Sequence, residues 1–313
     1  MNRSYLCRSV IFTAIAACCV AASCGGGGRG EQTRTPKPFV LPTVPSIIID
    51  PQEQANYLAR HYWDLFDFDD TVHISQPKVI EKAIVEYLGI MQHVMPKEAA
   101  TSFQSTIDKS QANIQIFRFF QILFEKYLYD PNSPLRNEDL YIMVLEGVVG
   151  SHQLDELEKI QPRFQLELLN LNRPGTIAAD FVYTLGAGKK ENMHRIKSEF
   201  LILFFNNPGC ASCGEIQQGF EESFVFKELF NSGRMKILAM YVDDDFVAWE
   251  SYRNTFPAHW INGYDASLSI RNNRLYDLRA IPNIYLLDKD KRVILRDVNA
   301  PQLEEYLYYM LQE

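Results

Sequence analysis

The sequence predicts two folded domains in series: an N-terminal all-α helical domain, then an α/β domain built on a mixed central sheet. Three observations predict this. From residue 47 to 172 apolar residues recur every three to four positions, the spacing of one helix face. After Arg173-Pro174-Gly175 the period changes, and short apolar runs alternate with helical stretches. The last two runs are joined by Asp288-Lys289-Asp290-Lys291, a turn-rich spacer that makes them a hairpin. A chain of 313 residues is long enough for each domain to have its own core.

In the helical part, one stripe runs through Ile80, Ile84, Tyr87 or Leu88, and Met91. A second takes in Phe103, Ile107, Ile114, Phe117, Phe120 and Phe124. A third holds Leu140, Met143 or Val144, and Val148. Breakers separate them: Pro77, Pro96, and the cluster Asp130-Pro131-Asn132-Ser133-Pro134. Pro162 either kinks a last helix or starts a new one after Ile160. The aromatics Tyr62, Trp63, Phe66, Phe68 and those from Phe117 to Tyr129 could line a ligand box. They follow the helical period, which favours core packing.

In the second part, residues 181–184 read as a short strand. Phe200–Phe205 is an unbroken apolar run, as in a strand buried on both faces. Residues 213–229 read as one helix, 235–242 as a second buried strand, and Phe246–Tyr252 as a short helix behind the acidic run 243–245. Residues 266–278 read as helical, Asn283–Leu287 and 292–295 as the hairpin strands. Residues 301–311 form a closing helix with Pro301 in its first turn.

The first 46 residues carry an address rather than a fold. Arg3 and Arg8 precede an apolar, small-residue stretch at 10–22, the length of a signal core and too short to span a bilayer. Residues 1–24 therefore read as an export signal. The string Ala21-Ala22-Ser23-Cys24 before Gly25 resembles a bacterial lipobox, with Ala21 where Leu is usual, and implies that Cys24 is lipid-modified. Cys18 is a second, weaker candidate, and an ordinary cleaved signal is the alternative. Both readings export the protein to a compartment where disulfides persist. The lipid reading places it in the cell envelope, anchored to a membrane and facing the periplasm. Residues 25–46, rich in Gly, Thr and Pro, read as a flexible linker.

The net charge is −8, and no basic cluster is interleaved with aromatics, so nothing points to nucleic acid as a partner. Of six cysteines, four (Cys7, Cys18, Cys19, Cys24) lie in the export signal. The remaining Cys210 and Cys213 form a C-x-x-C between an apolar strand and a helical pattern, the layout of a dithiol that opens and closes a disulfide. A helix N-terminus presents unsatisfied N–H groups and a partial positive charge, which stabilise a thiolate. A thiol there falls from ~8.5 toward neutrality or below. Cys210 stands at that end and is assigned as the nucleophile. Cys213, one turn further in, is assigned as the shielded resolving thiol.

Downstream lies Ala280-Ile281-Pro282-Asn283-Ile284-Tyr285-Leu286-Leu287-Asp288. With the strand, the C-x-x-C, and Pro174-Gly175, Ala178, Asp180 and Phe181, this segment makes residues 173–313 resemble a thioredoxin-like domain of the secreted, membrane-tethered type. The whole chain is similar to Bacteroides-type lipoproteins that join an uncharacterised helical domain, here 47–172, to such a domain. The resemblance implies a thioredoxin fold, a thiol-disulfide oxidoreductase role, and a cis-proline at Pro282 beside the dithiol. Ile281 then forms part of a platform for an extended substrate chain. It implies protein thiols and disulfides as substrates, an unidentified redox partner, and no cofactor. Two positions depart from the family. The usual Trp before the first cysteine is Gly209, and the carboxylate often found near the buried cysteine has no clear counterpart, Glu215 being on the same helix. A peroxiredoxin reading wants Pro and Thr where Leu203 and Asn207 stand.

Three plainer readings remain beside this one. A zinc site needs about four ligands, and one C-x-x-C with six scattered histidines supplies poor support, so no metal is assigned. The Cys210/Cys213 bridge could be a static clip. The protein would then be a binding or scaffolding lipoprotein on a thioredoxin-like frame. His259-Trp260 could stand in for the missing aromatic, with packing as the default.

Overall fold

The structure is a computed structural model, and it describes residues 38–312. Residues 1–24, read as an export signal with Cys24 as its lipidation site, and the first part of the stretch read as linker lie outside the described residues. Phe39, inside the stretch read as linker, stacks on Tyr62 at 5.1 Å and meets Trp63 edge-on at 5.3 Å. The chain therefore touches the helical core before residue 47.

Among the described residues, seven α-helices make the first half: α1 (Pro51–His61), α2 (Val72–Ser75), α3 (Lys78–Met91), α4 (Pro96–Ser110), α5 (Ile114–Phe124), α6 (Glu138–Gly150) and α7 (Ile160–Leu169). Their starts follow from the sequence. Asp50 accepts from the Glu53 amide and Pro51 opens α1, Asn113 caps α5, and Asn137 caps α6 through the Leu140 amide. Pro162 falls in the first turn of α7, so a new helix starts at Ile160 and nothing is kinked. The aromatic stripes form one core in which Tyr62, Trp63, Tyr87, Phe103, Phe117, Phe120 and Phe124 are buried. Tyr87 satisfies its hydroxyl there with Ser102 (2.7 Å) and Thr106 (3.2 Å).

The second half is a seven-stranded mixed sheet of β1 (Val182–Thr184), β2 (Lys190–Asn192), β3 (Phe200–Phe205), β4 (Met235–Tyr241), β5 (Ile261–Tyr264), β6 (Asn283–Leu287) and β7 (Val293–Arg296). The order is β2-β1-β5-β4-β3-β6-β7. Strands β3, β4 and β5 run parallel, β6 returns antiparallel to β3, and β7 pairs antiparallel with β6. Around the sheet lie α8 (Ala211–Glu222), α9 (Phe224–Asn231), α10 (Phe246–Tyr252), α11 (Ser269–Asn272) and α12 (Ala300–Gln312). Alternate residues of β3 serve opposite faces. Phe200, Ile202 and Phe204 pack with Phe220, Leu229, Leu303 and Leu307, whereas Leu201, Leu203 and Phe205 pack with Phe181, Tyr276 and Tyr285. This is why β3 is apolar at every position.

Three expectations are corrected. The helix read over 213–229 breaks at Ser223, which takes an extended conformation and caps α9 through the Phe226 amide. The helix read over 266–278 is confined to Ser269–Asn272. The Asp265 carboxylate captures the Ile270 amide at 2.6 Å, and Leu268 and Arg274 have left-handed backbones that a helix cannot contain. Strands β2 and β5 are additional elements with no apolar run to announce them.

The two halves meet through charge. Glu138, in the first turn of α6, accepts from Arg136 at 2.8 Å, from Arg296 at 2.6 Å, and from Arg279. Arg136 also pairs with Asp297, and Arg173 with Asp139 at 2.6 Å.

Candidate functional site

The two cysteines leave the sheet at the C-terminal end of β3. Asn206 is buried, and its backbone amide continues the ladder to the Met240 carbonyl at 3.0 Å. Asn207 turns its side chain to Asp243 at 3.1 Å, which ties this loop to the one after β4. Gly209 then adopts φ +76°, and Cys210 becomes the N-cap of α8.

Cys210 caps with sulfur where Ser or Asp would use oxygen. The Cys213 amide donates to Cys210 Sγ at 3.2 Å, and the Gly214 amide to the Cys210 carbonyl at 3.2 Å. The Ser212 hydroxyl lies 3.6 Å from the same sulfur. Cys210 and Cys213 are joined in a disulfide, their Cα atoms 5.3 Å apart. The bond is asymmetric in exposure. Cys213 is fully buried in the apolar cluster of Phe204, Phe220 and Ile284, while Cys210 sits half-buried at the edge of that cluster.

The Ile281–Pro282 peptide bond is cis. Asn283, the next residue, pairs with Phe205, the last residue of β3. The register therefore places Ile281 and Pro282 at the end of the sheet from which the 206–210 loop departs. Ile281 packs at the edge of the same cluster as Cys210.

Around this end, the remaining candidates separate. Gly209 has open space beside it, since an added Cβ would meet no heavy atom within 4 Å. Its positive φ is the obstacle to a Trp there, because a side chain in that region is strained. Trp260 does not replace the lid. It is buried between Phe204, Phe220 and Phe256 and donates to Glu221 at 3.1 Å, with His259 on the same carboxylate at 3.3 Å. Glu215 is exposed on α8. The acidic run is used locally: Asp245 caps α10, and Asp243 holds Asn207 and Arg271. Among the described residues, no group of three His, Cys, Asp or Glu side chains could hold a metal ion. Among them too, no helix is long and apolar enough to cross a membrane.

Sequence reasoning misses the residues behind the cis bond. Asp277 is buried, and burial holds its carboxyl above the usual carboxylate range while Arg279 pulls the other way. No local signal marks the link from Arg279 to Glu138, which is 141 positions away.

A solved structure shares the fold over most of the chain. A thioredoxin-like protein from Bacteroides caccae is 41% identical, with 88% of this chain and 99% of that one covered, at a TM-score of 0.85. The chain belongs to the thioredoxin-like proteins. The C-terminal domain of an uncharacterised Bacteroides fragilis protein is 44% identical to this thioredoxin-like chain, covering 44% of it and 98% of its own length (TM-score 0.43). The thioredoxin domain of a thiol-disulfide oxidoreductase from Bacteroides vulgatus is 14% identical, covering 44% of this chain and 97% of its own (TM-score 0.40). Residues 22–172 match the family described as a domain of unknown function, DUF5106. No curated protein matches the chain.

Proposed function

We propose that this thioredoxin-like protein is an exported, lipid-anchored thiol-disulfide oxidoreductase acting on proteins through Cys210 and Cys213. The observation that carries the reading is the bridged pair at the start of α8, with a partly buried Cys210 whose sulfur receives a helix N–H and a fully buried Cys213. In the reduced form the α8 N-terminus favours the Cys210 thiolate. That thiolate attacks one sulfur of a substrate disulfide, forming a mixed disulfide and expelling the other sulfur as a thiolate. Cys213, deprotonated, then attacks Cys210 Sγ. The internal disulfide forms, and the second substrate thiolate leaves. Two electrons pass from the dithiol to the substrate, and the two departing sulfurs take up the two protons. An extended substrate chain is received along the Ile281 backbone beside Pro282. An external dithiol-disulfide partner resets the pair.

The test is reduction of insulin disulfides by the reduced protein, with Cys210→Ser inactive and Cys213→Ser trapped as a mixed disulfide. A Cys210→Ser variant as active as the parent overturns the reading. Anchoring through Cys24 predicts that Cys24→Ala stops palmitate incorporation and frees the protein from the membrane fraction. Undiminished retention counts against it. Gly209 in place of the aromatic lid favours a second reading, a binding lipoprotein with a static bridge. An unperturbed Cys210 thiol pKa with a very low reduction potential supports that alternative.

A further inference from the structure

The segment bearing the cis bond is gripped from outside its own domain. Arg279 lies two residues before Ile281 in the irregular stretch between α11 and β6. Its guanidinium donates to Glu138 in the helical half and lies over the Tyr129 ring, 3.6 Å from the centroid. Asp277, on the same stretch, pairs with Arg279 at 3.2 Å. The other Glu138 oxygen takes Arg296 of β7 at 2.6 Å, and Arg296 reaches on to the Leu169 and Leu171 carbonyls at 2.7 and 2.8 Å.

These groups are largely withdrawn from water. Side-chain exposure is 16% for Glu138, 19% for Arg279 and 9% for Arg296. A charge set so placed is rigid when complete, because removing one partner strands another charge away from solvent. Its position is informative. A contact needed only to hold two domains together is already supplied by Arg296 on the Leu169 and Leu171 carbonyls and by Arg173 on Asp139. The Arg279 contact instead fixes a loop that has no strand partner of its own.

We propose that Glu138 is a positioning residue for the dithiol site: through Arg279 the helical domain fixes residues 277–282, and with them the Ile281 backbone on which a polypeptide substrate docks. The docking step rests on the oxidoreductase reading; the restraint on the loop does not. The inference gives the helical half a part in substrate choice. Extended polypeptides use the fixed backbone, whereas small disulfides meet only the Cys210 sulfur.

The experiment compares full-length parent, Glu138→Gln, Arg279→Met and Arg173→Ala. Arg279→Met keeps an apolar stem over Tyr129 and leaves Glu138 with Arg136 and Arg296, so it retains a folded protein if Glu138→Gln does not. Arg173→Ala breaks a contact at the same boundary that does not touch the loop. Two readouts are taken: amide hydrogen exchange over 277–282, and steady-state reduction of insulin against a small aryl disulfide. Expected are faster exchange at 277–282 in both Glu138→Gln and Arg279→Met, confined to that stretch in Arg279→Met, and a KM for insulin raised roughly tenfold in both, with the small disulfide unaffected. Arg173→Ala changes neither. Unchanged exchange at 277–282, or equal losses on both substrates, overturns the proposal. A parent inert toward both disulfides sinks the oxidoreductase reading instead, and the exchange result then decides on the restraint alone.

Discussion

Asn283 pairs with Phe205 across the β3–β6 ladder while its side-chain amide donates back to the Asp277 carbonyl at 2.9 Å. One residue thus aligns the strand with the Cys210 loop and closes the irregular segment that precedes it. The side chain is buried, so no water replaces it when it is removed. Asn283→Ala is expected to lose about 1–3 kcal/mol, the cost of a buried carbonyl left without its donor. Urea unfolding reads this as a lower midpoint at unchanged slope. An unshifted midpoint would mean that the Asp277 carbonyl finds another partner.

Gly209 holds φ +76° immediately before Cys210. An added Cβ meets nothing within 4 Å, so space does not select glycine there; the backbone does. Gly209→Ala is expected to destabilise the oxidised protein by about 1–2 kcal/mol, the penalty of a non-glycine residue in the left-handed region. Gly209→Trp, which restores the family's aromatic, incurs the same penalty. A Trp variant as stable as the parent in urea would show that the loop turns over to a negative φ without loss.

Most of the fold is legible in the sequence where burial is two-sided or chemistry is local. β3 stands out because both its faces are covered and every position is apolar, and β4 and β6 because their apolar runs are broken only near one end, by Lys236 and Asn283. The site is legible because strand, C-x-x-C and helix are contiguous. What is not legible depends on distant partners. β5 reads Ile-Asn-Gly-Tyr and carries little apolar signal. Its Gly263 is required because the Tyr183 ring crosses it, 2.7 Å from where a Cβ would lie. The break between α8 and α9 turns on one hydroxyl at Ser223. The Arg279–Glu138 link joins residues in different domains, and no periodicity contains it.

The Asp277 carboxyl is held above its ordinary value of 3.8 first by burial, with the nearby Glu138 charge adding to the rise and Arg279 opposing it. The native state therefore keeps this proton to higher pH than the unfolded chain. Its contribution to stability is complete below the ordinary value and is lost as pH rises through the native one. Asp277→Asn removes that dependence. The variant should gain on the parent as pH rises from about 4 toward neutrality, read as the difference between their urea midpoints. A parent that instead gains on the variant over this interval would show that the Arg279 ion pair outweighs burial.

Two helix glycines should respond in opposite senses to the same substitution. At Gly147 in α6 an added Cβ would fall 2.9 Å from Ile107 Cγ2 and 3.3 Å from Ile107 Cβ, where α4 crosses closely. Ile107 is buried and branched at Cβ, so it cannot swing aside without disturbing the core. The clash costs about 1–3 kcal/mol and exceeds the roughly 1 kcal/mol that alanine gains over glycine in a helix. At Gly89 in α3 nothing lies within 4 Å, and only the helix gain of about 0.5–1 kcal/mol remains. Gly147→Ala should therefore lower the thermal midpoint and Gly89→Ala raise it. Neither residue touches the dithiol, so the proposed insulin reduction should be the same in both variants and the parent per folded molecule. A stabilised Gly147→Ala would mean that α4 and α6 can separate by a few tenths of an ångström at no cost. The close approach would then be incidental to the packing of the helical half.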